Sequence, residues 1–255
     1  MGDCSASLEP TTSVSEMQSS RDGVNLEERV VSGVDRGHDE GPIIIIVMGV
    51  AGTGKTTLAH ALDAELGMPY IEGDDMHPQT NIDKMSKGIP LTDEDREPWL
   101  HKIRNEALKV AQEQLNLTSP SEEEKEKSKP RRKGVMVTCS SLKRYYRSIL
   151  RGSIPPTPST TPFTPSSEHS PAPQTPPIPT YFVYIKEDVP VLRDRIANRK
   201  GHFMKATMLD SQLATLESPE GEEGVVVVPL NASTQEQVDI ALEGLEKLIG
   251  PMRRA

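Results

Sequence analysis

Residues 43–48 read Ile-Ile-Ile-Ile-Val-Met and run directly into Gly49-Val50-Ala51-Gly52-Thr53-Gly54-Lys55-Thr56. Consecutive β-branched side chains favour extended backbone, and a run without polar alternation belongs in a strand buried on both faces. The eight residues after it fit G-x-x-x-x-G-K-[ST]. Glycines let the chain curl so that successive N–H groups point at phosphate oxygens, and the helix that follows offers its positive end. In such a loop Lys55 reaches the β- and γ-phosphates and the Thr56 hydroxyl binds Mg2+, with Thr57 next in the opening turn of the helix.

Further β-branched runs recur at Val135–Thr138, Tyr181–Ile185 and Val225–Val228, with Pro69-Tyr70-Ile71 as a weaker one. Helical patterns lie between them: 55–66, 93–115, 142–150, 189–198 and 233–249. Alternation of strand and helix predicts an α/β fold with a mostly parallel sheet. The low hydrophobic share, 35% of 255 residues, is concentrated in stretches outside this pattern. Residues 1–41 read as a disordered tail, because so few large apolar side chains cannot offset ordering entropy. Residues 116–133 and 152–179 read as low-complexity insertions in a domain spanning 42–250, and 251–255 as a C-terminal tail. The first insertion is charge-rich and suits either a docking or phosphorylation segment or a plain solvated loop. The second holds ten of the 22 prolines and suits a proline-directed modification target or a passive loop.

The net charge of -9 argues against a nucleic-acid partner, which needs clustered Lys and Arg. Two cysteines make no disulfide framework, and no apolar run is long enough to span a bilayer. A cytoplasmic protein with no membrane partner is the expectation. The GTPase elements D-x-x-G and N-K-x-D are absent, and strand 135–138 ends in Cys139-Ser140 rather than in an acidic residue. Those features point to the branch of nucleotide-binding folds that phosphorylates small acceptors.

The acceptor side begins at Glu72-Gly73-Asp74-Asp75-Met76-His77-Pro78, at the carboxyl end of the second strand, where α/β folds bind ligands. A carboxylate there can orient a hydroxyl and take its proton. Thr92 or Asp93 caps the long helix that follows. Arg96 offers a planar fork suited to a carboxylate, and Trp99, the one tryptophan, suits either the core or a sugar platform.

These blocks together resemble the gluconokinase of the P-loop type. The resemblance rests on Gly73–Pro78, on Asn81-Ile82-Asp83-Lys84-Met85, on Pro90–Leu100, on Cys139–Arg147 and on Arg199–Met204, in the family's order over most of 42–250. It implies ATP-dependent phosphorylation of D-gluconate to 6-phosphogluconate. It also implies a three-layer α/β/α fold with a five-stranded parallel sheet of order 2-3-1-4-5, a helical substrate-binding region and a lid. Carried over, Lys55, Asp74 and Arg199 are catalytic, and Arg195 and Arg199 join the loop in holding ATP. Asp74, His77, Arg96, Lys143, Arg147, Lys200 and His202 face the acceptor. Thr56 binds Mg2+ with the ATP phosphates, and Glu72, where bacterial relatives often have Asp, is the candidate for a further ligand. Ser141 replaces an Ala and Ser148 an Asp of the family pattern. The family also implies a homodimer. A related kinase for shikimate or another sugar acid, and an inactive nucleotide-binding regulator, are the alternative readings. Leu230-Asn231-Ala232 is the expected base-facing loop.

Overall fold

The computed structural model describes residues 41–116, 132–156, 178–198 and 206–252. The tail before 41, the interiors of both insertions and the expected lid residues Arg199, Lys200 and His202 lie outside them.

Five strands form one sheet: β1 (Ile43–Met48), β2 (Tyr70–Glu72), β3 (Gly134–Thr138), β4 (Thr180–Lys186) and β5 (Val225–Pro229). Their order is β2-β3-β1-β4-β5, and every pairing is parallel, as expected. β1 is central and all six of its residues are buried. Fully burying an aliphatic side chain contributes about 1.5–3 kcal/mol, so this strand anchors the core and fixes where the loop after it emerges.

Helices flank the sheet: α1 (Lys55–Leu66), α2 (Gln79–Ser86), α3 (Asp93–Asn116), α4 (Arg144–Arg151), α5 (Val189–Asn198), α6 (Ala206–Thr215) and α7 (Thr234–Ile249), with a 3-10 turn at Gly73–Met76. α1 packs with α7, and α3 with α4. Thr92 rather than Asp93 caps α3: its hydroxyl accepts from the Asp95 N–H at 3.3 Å, and the Asp95 carboxylate accepts from the Thr92 N–H at 2.9 Å. The same reciprocal box, Ser233 with Glu236, opens α7.

The 3-10 turn, α2 and α6 have no counterpart in the helical patterns of the sequence. The helix expected from 142 starts at Arg144, because Ser141 takes a left-handed φ of 48° and Lys143 is extended. Packing also extends past two expected boundaries. Ile178 and Met252 are both buried in the core, and Pro179 accepts from the Ile44 N–H at 2.9 Å. No described helix is long and apolar enough to cross a membrane.

Candidate active site

The glycine-rich loop leaves the carboxyl end of β1 and closes on the start of α1. Gly54 takes φ 91° as the residue before the helix, a conformation in which a side chain is strained. Thr53 ties the loop across itself, its hydroxyl donating to Val50 O at 2.8 Å. Lys55 Nζ donates to the same carbonyl at 3.3 Å. α5 packs on the loop from outside, for a Cβ at Gly52 would lie 3.3 Å from Ile196 Cγ1. Arg195 is exposed on the last turn of that helix; it does not line the cleft described below.

Thr56 donates its hydroxyl to Glu72 Oε2 at 2.8 Å. Glu72 also accepts from the Tyr70 hydroxyl at 2.5 Å and from the Thr138 hydroxyl. Burial alone would raise the Glu72 pKa, but the hydrogen bonds from Thr138, Tyr70 and Thr56 outweigh it and hold the carboxylate below its usual range. An ionised carboxylate beside a hydroxyl is an all-oxygen donor set, the chemistry a hard Mg2+ ion takes alongside substrate phosphates.

The first turn after β2 carries Asp74. Gly73 permits it: a Cβ there would lie 2.1 Å from Thr138 O, so no larger residue brings this turn so close to β3. The Trp99 indole N–H donates to Gly73 O at 2.8 Å, which pins the turn from the α3 side. Trp99 is 2% exposed and stacks on His77 with ring centroids 3.9 Å apart. It is therefore a core residue that backs His77 at the cleft wall. Removal from water raises the Asp74 pKa, Lys55 opposes that, and Glu72 and Asp75 add to it. Asp74 is nevertheless exposed along the cleft, so solvent moderates the effect.

His77 is buried, and desolvation first, then Arg96, lowers its pKa to about 4. It is neutral near pH 7. Asn81 Nδ2 donates to Asp95 O at 2.8 Å and approaches His77 Nδ1 at 3.3 Å. The first bond fixes the amide orientation, which makes Nδ1 the acceptor and assigns the proton to Nε2.

Lys55, Asp74, His77, Arg96 and Trp99 line one cleft of about 360 Å³, closed on its apolar side by Ile82, Met85, Leu91 and Met208. Ser86, Ser140 and Gln212 complete it. Two expected acceptor residues are placed elsewhere. Lys143 does not line the cleft; its ammonium grips both oxygens of Asp93, at 2.8 and 2.7 Å. Asp93 also accepts from the Tyr146 hydroxyl, which accepts from Arg96 Nη1 at 3.3 Å. Lys143 thus stands at the far end of a relay that holds Arg96. Arg147 corrects the expectation outright. It has no exposed surface, pairs with Glu222 at 2.5 Å, and donates to Ser141 O and Leu142 O at 2.9 and 3.2 Å. With those N–H groups committed inside the protein, it clamps the loop after β3 and is not presented to an acceptor.

Met208, Gln212 and Ser140 were not among the expected site residues. α6 shows no clean apolar stripe, and its approach to the loop bridges 161 positions in sequence. At the expected base-facing loop, Asn231 donates to Asp188 Oδ2 at 2.8 Å, bracing the start of α5.

No protein-family model matches the chain. The chain is 37% identical over 208 residues to a probable gluconokinase of Schizosaccharomyces pombe, covering 81% of this chain and 89% of that protein. It is 38% identical over 207 residues to a gluconokinase of Gluconobacter oxydans, covering 80% and 89%. Among solved structures, a gluconokinase from Sinorhizobium meliloti superposes with a TM-score of 0.58 at 38% identity, covering 82% of this chain and 94% of that one.

Proposed function

The chain belongs to the gluconokinase family, and from that premise we propose that it transfers the γ-phosphoryl group of ATP to gluconate, with Asp74 drawing off the acceptor proton. The observation that carries this reading is the meeting of Lys55, Asp74 and Arg96 in one cleft. A phosphate-binding cation, a carboxylate and a second cation suited to an anionic acceptor are what such a transfer needs.

The loop N–H groups and Lys55 hold the triphosphate. Thr56 and Glu72 would hold Mg2+, which would offset phosphate charge when bound. Arg96 receives the gluconate carboxylate, and neutral His77 donates from Nε2 to an acceptor hydroxyl. Trp99 keeps His77 flat against the cleft wall. The reacting hydroxyl oxygen forms a bond to the γ-phosphorus as the bond from that phosphorus to the β–γ bridging oxygen breaks. ADP leaves with that oxygen, and the hydroxyl proton passes to Asp74 and then to solvent. A carboxylate with a raised pKa is the better acceptor for it. Arg199, Lys200 and His202 belong to the proposed lid, on the family pattern, and Arg195 lies on the helix leading into it. The reading includes a cytoplasmic homodimer, supported by the family pattern and, for the compartment, by the low cysteine count.

Lys55→Ala tests the assignment of the loop. Gluconate-dependent ADP release should fall by several orders of magnitude in a variant with the parent's circular dichroism; activity near the parent's would sink it.

A further inference from the structure

One N–H of the phosphate loop already has a partner. Ala51 N–H donates to Gln212 Oε1 at 2.7 Å. Loop N–H groups of this kind are the ones that cradle phosphate oxygens, and a carboxamide oxygen is a neutral acceptor of the same reach. Gln212 also lines the cleft that holds Lys55 and Asp74. Its side chain therefore stands where the phosphate loop and the acceptor cleft meet.

The helix that carries it is firmly seated. On α6, Met208 and Leu209 are buried, and Asp210 pairs with Arg193 of α5 at 3.0 Å. Just beyond α6, Glu217 N–H donates to Leu142 O at 2.8 Å, and the Glu217 carboxylate accepts from the Arg144 N–H at 2.7 Å. These bonds tie α6 to α5 on one side and to the loop after β3 on the other. The Gln212 amide nitrogen has no partner among the described residues.

We propose that Gln212 is a further residue of the transfer step. Its oxygen holds the Ala51 N–H while the loop is empty. When ATP fills the loop, that N–H passes to a phosphate oxygen, and the released carboxamide donates its own N–H to the phosphoryl group in transit. The proposal rests on the kinase reading above and deepens it. Glutamine suits the task because it both accepts and donates, so rotation of the terminal amide converts one role to the other. A neutral donor aimed at developing charge stabilises the transition state without adding a charge to the empty cleft. Glutamate could satisfy Ala51 but would repel a triphosphate, and methionine fills similar space without the donor.

The test uses the full chain and two variants, Gln212→Met and Gln212→Glu. Calorimetric titration with a non-hydrolysable ATP analogue is done without acceptor, followed by steady-state kinetics with both substrates varied. Gln212→Met should bind the analogue as the parent does, or slightly more tightly, while kcat falls by about a hundredfold, as for loss of one transition-state donor. Its KM for gluconate should stay within a few-fold. Gln212→Glu should bind the analogue at least about tenfold more weakly, through charge repulsion at short range. Parent-like kcat in Gln212→Met, or parent-like binding in Gln212→Glu, overturns the proposal. So does an equal loss of binding and turnover in Gln212→Met, which marks a merely structural contact. The binding arm needs no acceptor, so failure of the gluconate reading is visible separately, as a parent that binds the analogue but does not turn over gluconate.

Discussion

The turn that carries Asp74 is held from several sides: Gly73 lets it approach β3, the Trp99 indole grips the Gly73 carbonyl, and the Asp74 carbonyl accepts from the His77 N–H at 3.3 Å. Asp74→Asn should therefore leave the pocket intact and remove only the proton acceptor. Turnover should fall by about a hundredfold or more, the range for a general base, with ATP affinity unchanged and gluconate affinity nearly so. Kinetics with both substrates varied checks this, and equal losses at both substrates would instead point to a broken turn. His77 supplies a test of stability. Its folded pKa is about 4 against an ordinary 6.5. Between those values the unfolded chain binds a proton that the folded chain does not, so stability should fall as pH drops from 6.5 towards 4. His77→Gln should flatten that part of the curve in denaturant unfolding at a series of pH values. His101, also shifted down, leaves some slope behind. Identical parent and variant slopes would contradict a buried neutral imidazole.

At the scale of elements, the loop between β3 and α4 depends on a charge that never meets solvent. Arg147 binds Ser141 and Leu142 carbonyls and pairs with Glu222, whose carboxylate is kept below its usual range although burial pushes it up. Removing one member of a buried pair costs about 3–5 kcal/mol, because the other charge remains uncompensated. Arg151 also reaches Glu222 at 3.2 Å and keeps part of that charge compensated, so Arg147→Met should lose about the lower end of that range in urea unfolding, with the KM for gluconate little changed in the protein that remains folded. A large rise in KM at parent stability would return Arg147 to the acceptor pocket. This residue also shows where sequence stops being informative. Strand β1 and the loop after it could be read because their signal is local: β-branched runs and glycine spacing act on the same few residues. Arg147 could not, since its partner lies 75 positions away and a charged side chain in a motif looks the same whether buried or presented. The short polar helix α2 and the helix α6 escaped for a related reason. Neither has an apolar period strong enough to announce itself, and tertiary packing, not propensity, sets them in place. Of the two roles that the sequence left open for Trp99, the structure supports the core one: its ring is buried and stacked on His77.

Across the whole molecule, the parallel sheet brings the ends of β1, β2 and β3 to one edge, and each end contributes a part: the phosphate loop, the Glu72–Asp74 turn, and the Cys139–Leu142 loop held by Arg147. Alternation of strand and helix implied parallel strands with their ends together; the strand order came with the family resemblance. On the proposed reading this edge supplies Arg96 for a carboxylate, neutral His77 for a hydroxyl and Asp74 for the proton, while the choice of gluconate rests on the family. The most direct test is ADP release by the purified chain with ATP and Mg2+, over a panel of D-gluconate, other sugar acids, shikimate and nucleoside monophosphates. Gluconate should give the highest kcat/KM of the panel, with a 6-phosphate monoester as product, and Lys55→Ala should abolish the signal. Preference for another acceptor, or ADP release that is indifferent to gluconate, would contradict the assignment.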